Sequence, residues 1–134
     1  MSLIDAKLLQ LPKIEDLRGS LSFIESYNPI PFEIKRVYFI YDVPANSVRG
    51  SHAHKKLKQL IVPLSGSFDV NLDDGKSQKC FSLRLPYLGL YVPELTWRTI
   101  NNFSSGSVCM VLASDFYKDD DYIRDYETFL KALT

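Results

Sequence analysis

Histidine and cysteine are scarce in this chain, and an excess of charge of either sign is missing. Sixteen basic side chains balance sixteen acidic ones over 134 residues. Such a balance supplies no net field to draw in nucleic acid or an anionic membrane, so neither is expected as a partner. Long apolar runs are missing too: the longest, VCMVLA at 108–113, is far too short to span a bilayer. The N-terminal stretch MSLIDAKLLQLPK has no basic segment followed by an apolar one, so it does not read as a secretory leader. Cys80 and Cys109 are the only cysteines, which excludes a disulfide framework and a Cys-based metal spacing. Two buried, reduced thiols in a cytoplasmic protein are expected. No glycine-rich phosphate loop, no G-x-S-x-G elbow and no Cys/His nucleophile spacing occurs. Repeats, linkers and low-complexity segments are absent as well, which leaves one domain over 1–134.

What the chain does have is a regular succession of short β-favouring segments. LSFIE (21–25), RVYFIY (36–41), SHAH (51–54), QLIVPL (59–64), SFDVNL (67–72), KCFSLRL (79–85), GLYV (89–92), TWRTI (96–100) and SVCMVLA (107–113) are separated by turn formers such as NPIP, DVPANS and DDG. Short strands at this spacing predict an all-β sandwich or barrel. In FDVNL the alternation puts Phe68, Val70 and Leu72 on one face. After the acidic trio 119–121 the period changes. Tyr122, Tyr126, Phe129, Leu130 and Leu133 fall at helical spacing, predicting one amphipathic C-terminal helix begun by the aspartates. Asp115, Asp119, Asp120 and Asp121 form no paired-carboxylate site and are assigned to turns and the helix start.

Both histidines lie in RGSHAHKKLKQ, residues 49–59. Two residues apart in a strand, His52 and His54 project from the same face. Alone, the pair is compatible with metal ligation, proton transfer or simple packing. The spacing from Gly50 through His52, His54 and Gln59 to Gly66 resembles the first sequence motif of the cupin superfamily. A looser second match runs through GLYVPELTWRTINN, where Leu95 replaces an expected glycine. In metal-binding members of that superfamily Gln59 would be a glutamate and Arg98 a third histidine. An amide and a permanent cation are poor substitutes, and two imidazoles alone hold a divalent ion weakly, so no metal and no cofactor is expected. Two histidines and an arginine in an apolar barrel would cost on the order of several kcal/mol if left unpartnered. They therefore belong in a solvated pocket or facing a polar or anionic ligand. Imidazoles of pKa about 6.5 beside arginines suit proton transfer on a phosphorylated substrate.

DLRGSL (16–21), PFEIKRVYFIYDV (31–43), RGSHAHKKLKQ (49–59), LDDG (72–75), GLYV followed by TW (89–97), VLASDFY (111–117) and DYIRDYE (121–127) together resemble the metal-free cupins that act as nucleoside-diphosphate-sugar 3,4-ketoisomerases. The resemblance runs from about residue 13 to about residue 130. It implies a jelly-roll β-barrel with a C-terminal helix. It also implies isomerisation of dTDP-4-keto-6-deoxyglucose, moving the keto group from C4 to C3, on the way to 3-amino-3,6-dideoxy sugars of surface glycans. By match to the family motif, His52 is the candidate base and His54 the partner that donates or relays a proton. Tyr38 is a candidate to hydrogen-bond the sugar or assist transfer, or else a core tyrosine. Arg36 and Arg49 are candidate diphosphate contacts, since guanidinium forks suit phosphate oxygens. Arg18, Gln59, Trp97 and Arg98 complete the candidate substrate-binding set. Family members differ at the positions of Arg18 and Arg98 and in the C4 configuration they produce, which leaves that configuration open. The family also implies a homodimer with exchange of an N-terminal strand. A 3,5-epimerase-like cupin and a non-catalytic cupin that binds a nucleotide sugar remain as alternatives. A metal-dependent oxygenase is disfavoured by Gln59 and Arg98.

Overall fold

The computed structural model of the protein describes residues 3–134; Met1 and Ser2, the start of the stretch read for a leader, lie outside it. Strands come in the order β1 (Lys7–Gln10), β2 (Lys13–Asp16), β3 (Gly19–Ser22), β4 (Arg36–Tyr41), β5 (Arg49–His54), β6 (Gln59–Ser65), β7 (Phe68–Asp73), β8 (Gln78–Leu83), β9 (Leu88–Val92), β10 (Trp97–Asn101), β11 (Val108–Ala113) and β12 (Tyr122–Ile123), followed by helix α1 (Tyr126–Ala132). One sheet has the order β1-β9-β6-β11-β4 and the other β12-β5-β10-β7-β8, with neighbouring strands antiparallel in both. β2 and β3 form a separate hairpin. This is the expected jelly-roll architecture with a C-terminal helix.

Alternation builds the space between the sheets. Phe68, Val70, Leu72, Leu90, Val92, Ile100, Cys109 and Val111 meet there as buried side chains. The outer face of the first sheet is covered by the chain before β4, where Ile30 and Phe32 pack on Leu60, Val62, Tyr91 and Leu112. On the outer face of the second sheet α1 seats Phe129 against Ala53 and Ile123. The hairpin between β7 and β8 turns through Gly75 at φ +90°, and a side chain there would run into Leu133 of the C-terminal segment. Among the described residues no helix is long and apolar enough to cross a membrane.

Four expectations need correction. The strand expected at 21–25 begins at Gly19 and ends at Ser22, paired within its own exposed hairpin. The acidic trio forms a 3-10 turn rather than the helix start, and Tyr122 leaves the helical face to pair with His54 across β12 and β5. The helix instead begins after Asp125, whose carboxylate accepts from the Thr128 backbone N–H at 3.0 Å. Cys109 is buried as expected, but Cys80 sits on the exposed side of β8. Replacement of Asp125 by alanine removes the cap of a short helix that roofs one sheet. It should lower stability by about 1 kcal/mol, read as a fall in Tm with activity retained.

Candidate functional site

β5 carries the two histidines past an irregularity that aims them. Opposite β10, Arg98 pairs with His52 but Thr99 pairs with Gly50, so Ser51 is an extra residue, a β-bulge. Gly50 takes φ +86°, and Ser51 takes φ +57°, a left-handed conformation uncommon for serine. The bulge brings the Gly50 carbonyl within 3.1 Å of His52 Nδ1. It also changes the phase of the strand. Arg49, an odd number of residues from His52, comes opposite Ile100 and so shares the inward face with it.

The rings of His52 and His54 stand edge to face, with centroids 4.8 Å apart. His54 is fully buried, and its Nδ1 lies 3.0 Å from Asp121 Oδ2. Asp121 is held in turn, its other oxygen accepting the Lys56 N–H at 2.9 Å and its carbonyl accepting the Lys55 N–H. With Nδ1–H of each ring donating to these acceptors, both Nε2 atoms carry free lone pairs, and both are buried without a protein partner. Burial, reinforced by the Arg98 guanidinium, pushes the His52 pKa down to about 4. Burial and the same guanidinium hold His54 well below the ordinary imidazole value, with His52 adding to the effect. Both imidazoles are neutral bases at physiological pH.

Arg98 projects inward from β10 with 2% of its surface exposed. Its Nε and Nη2 donate to the Thr96 carbonyl at 3.3 and 3.2 Å, and Nη1 donates to Gln59 Oε1. The Gln59 amide then donates to the Tyr38 hydroxyl at 3.0 Å. Burial lowers the Arg98 pKa to about 10, which keeps it charged near neutrality. Among the described residues no carboxylate lies within ion-pair distance of it. A cation at this position and an amide oxygen already engaged by it do not fit a divalent ion, and no group of three or more metal-ligating side chains converges among the described residues.

Two clefts open beside the histidines. One of about 370 Å³ is lined by Tyr38, Arg49, His52, Arg98, Tyr122 and Arg124. The other, of about 340 Å³, brings Arg36, Lys55, Lys56 and Lys118 to His54. Tyr122 borders both, its ring centroid 5.0 Å from His52 and 4.4 Å from His54, with Arg124 stacked 4.2 Å above it.

The structure thus gathers His52, His54, Tyr38, Arg36, Arg49 and Arg98. Tyr38 comes from β4 in the facing sheet, not from a strand beside β5. Gln59 is fully buried behind Tyr38 and Arg98 and lines neither cleft. Trp97 points to the other face of β10 and packs on Tyr126 and Phe129. Arg18 lies exposed on the β2–β3 hairpin, bonded to Asp16. Asp121, Tyr122 and Arg124 are the site residues that sequence reasoning missed. The segment DYIR was visible as a motif, but helical spacing drew Tyr122 to the wrong element.

A family model described as FdtA, WxcM-like, C-terminal, matches residues 4–134. The chain is 49% identical over 130 residues to the TDP-4-oxo-6-deoxy-alpha-D-glucose-3,4-oxoisomerase of Aneurinibacillus thermoaerophilus, covering 97% of this chain and 94% of that one. Its fold is similar to that of the WlaRB TDP-quinovose 3,4-ketoisomerase from Campylobacter jejuni, with TM-score 0.91, 48% identity and coverage of 95% and 98% of the two chains. It is also similar to a mutant of the QdtA 3,4-ketoisomerase from Thermoanaerobacterium thermosaccharolyticum in complex with TDP-4-keto-6-deoxyglucose, with TM-score 0.94, 39% identity and coverage of 97% and 94%.

The depressed His52 pKa has a measurable consequence. By NMR His52 should protonate at about 4 rather than near 6.5. Between those values the unfolded chain binds a proton that the native state refuses. Stability should therefore fall as pH drops from above 6.5 through 4, seen as a declining denaturant midpoint. A His52 midpoint near 6.5 would contradict this account of its burial.

Proposed function

The chain belongs to the FdtA family, and on that premise we propose that it is a TDP-sugar 3,4-ketoisomerase acting on dTDP-4-keto-6-deoxyglucose. The observation that carries the proposal is the convergence of two neutral imidazoles, each with a free Nε2, on a buried guanidinium without a counter-charge. A carbonyl at C4 acidifies the C3 proton. His52 Nε2 takes that proton, the C–H electron pair becomes the C3–C4 π bond, and the negative charge moves to the C4 oxygen. Arg98 and Tyr38, which line the same cleft as His52, are the proposed stabilisers of that oxyanion. The O3 hydroxyl proton passes to O4, and a proton delivered to C4 leaves the ketone at C3. His54, whose imidazolium form Asp121 would stabilise, relays the proton for C4 at its Nε2. In this reading the residues present supply the acid, the base and the cation that the reaction needs.

Arg49 and Arg36, bordering the two clefts, are the proposed diphosphate contacts. The protein works as a cytoplasmic single-domain enzyme and as a homodimer that exchanges an N-terminal strand. That assembly is supported by the apolar side chains Ile14, Leu17 and Leu21 exposed on the hairpin and by Val37, Phe39 and Tyr41 exposed on the outer face of β4. Arg18 reaches a substrate only through such an exchange, because its own chain leaves it on the exposed hairpin. The product feeds a 3-amino-3,6-dideoxy sugar.

Incubation with dTDP-4-keto-6-deoxyglucose in D₂O, followed by proton NMR, tests the proposal. Loss of the C3 proton, deuterium at C4 and a new 3-keto sugar are expected, with His52→Asn slowed on the order of 10³-fold. Exchange at C5 instead would mark an epimerase. Binding without any exchange would leave only a nucleotide-sugar-binding cupin. Coupling of the C4 proton in the aminated product of a parallel reaction in H₂O reads the configuration.

A further inference from the structure

Resting on the isomerase reading and going beyond it, we infer that Gln59 is a positioning residue that sets the direction of the Tyr38 hydroxyl, making Tyr38 a hydrogen-bond donor to the sugar oxygens at C3 and C4. The direction follows from a chain of donors. A guanidinium has no acceptor, so the amide edge of Gln59 that faces Arg98 must be its oxygen. Arg98 cannot be turned aside easily, because Nε and Nη2 both donate to the Thr96 carbonyl. The amide NH₂ of Gln59 is left facing Tyr38, whose oxygen accepts it at 3.0 Å. Among the described residues no side chain or carbonyl accepts the Tyr38 proton in return. Tyr38 borders the cleft that holds His52 and Arg98, so its remaining hydrogen bond is directed to whatever occupies that cleft. A donor pre-aimed at an oxygen that gains charge contributes most in the transition state.

Glutamate at this position would be nearly the same size and would reverse the bond. Its carboxylate would accept from Arg98 and from Tyr38 together, turning the Tyr38 proton inward. It would also give the buried guanidinium a counter-charge. The fold should therefore survive a change that removes the donor, which separates a positioning role from a merely structural one.

The test compares Gln59→Glu and Tyr38→Phe, singly and combined, on TDP-4-keto-6-deoxyglucose with a chelator present so that the new carboxylate recruits no metal. For Gln59→Glu, kcat should fall ~10²-fold with KM near the wild-type value and Tm no lower. The double variant should be no slower than Tyr38→Phe, since Gln59 acts through Tyr38. Wild-type kcat in Gln59→Glu overturns the inference, and so does a double variant slowed by the full product of the two single effects. A second measurement does not depend on turnover: titration of the Tyr38 Cζ signal in ¹³C-tyrosine-labelled protein, assigned with Tyr38→Phe. An amide that donates favours the phenolate and a carboxylate that accepts opposes it, so Tyr38 should ionise at higher pH in Gln59→Glu. An unchanged or lower midpoint overturns the inference. An inactive wild type with the expected Tyr38 shift would refute the isomerase reading and still support the direction of this hydrogen bond.

Discussion

Sinking a guanidinium into a barrel is unfavourable unless its donors are satisfied, and Arg98 is satisfied by a carbonyl and an amide instead of a carboxylate. That choice joins the two sheets. Arg98 stands on β10, Gln59 on β6 and Tyr38 on β4, so one chain of hydrogen bonds crosses the whole interior. It also constrains the backbone. Thr96 can offer its carbonyl because the preceding Leu95 takes φ +53° and donates to the His54 carbonyl at 2.8 Å. Burial holds both imidazoles neutral and the same cation adds to it, so part of their basicity is set by a residue that touches neither through a hydrogen bond.

The barrel was largely legible in the sequence because period-two alternation is a local property. FDVNL announced its buried face, and HAH announced a shared one. Arg98 and Gln59 were noticed as departures from a metal site, but only tertiary packing reveals that they hold each other. Asp121 was assigned to a helix start because three adjacent aspartates suit one. Its real partner, His54, is 67 residues away in the chain. Tyr122 was lost to a chance agreement of spacing, since a two-residue strand has no periodicity of its own. Trp97 was placed in the substrate-binding set, yet its neighbour Arg98 takes the inward face and alternation sends Trp97 to the helix.

Tyr122 gives the site its division. With one imidazole at each cleft and an aromatic ring between them, the two histidines meet different surroundings although they share a strand face. The His52 side is walled by Tyr38 and three guanidiniums, and the His54 side by Arg36, three lysines and Asp121. Chemistry that moves a proton between adjacent carbons has use for two unlike bases in close contact.

The bulge at Gly50 and Ser51 acts as a parity change in the strand. Upstream of it inward residues fall at one parity of numbering, and downstream at the other. Removing a single residue there would leave the length of β5 almost unaltered but would turn Arg49 from the cleft to the outer surface. Such a deletion, harmless in a loop, would here rewrite which side chains line the barrel mouth. Two relatives aligned without regard to this extra residue would seem to differ in their charged lining while being built alike.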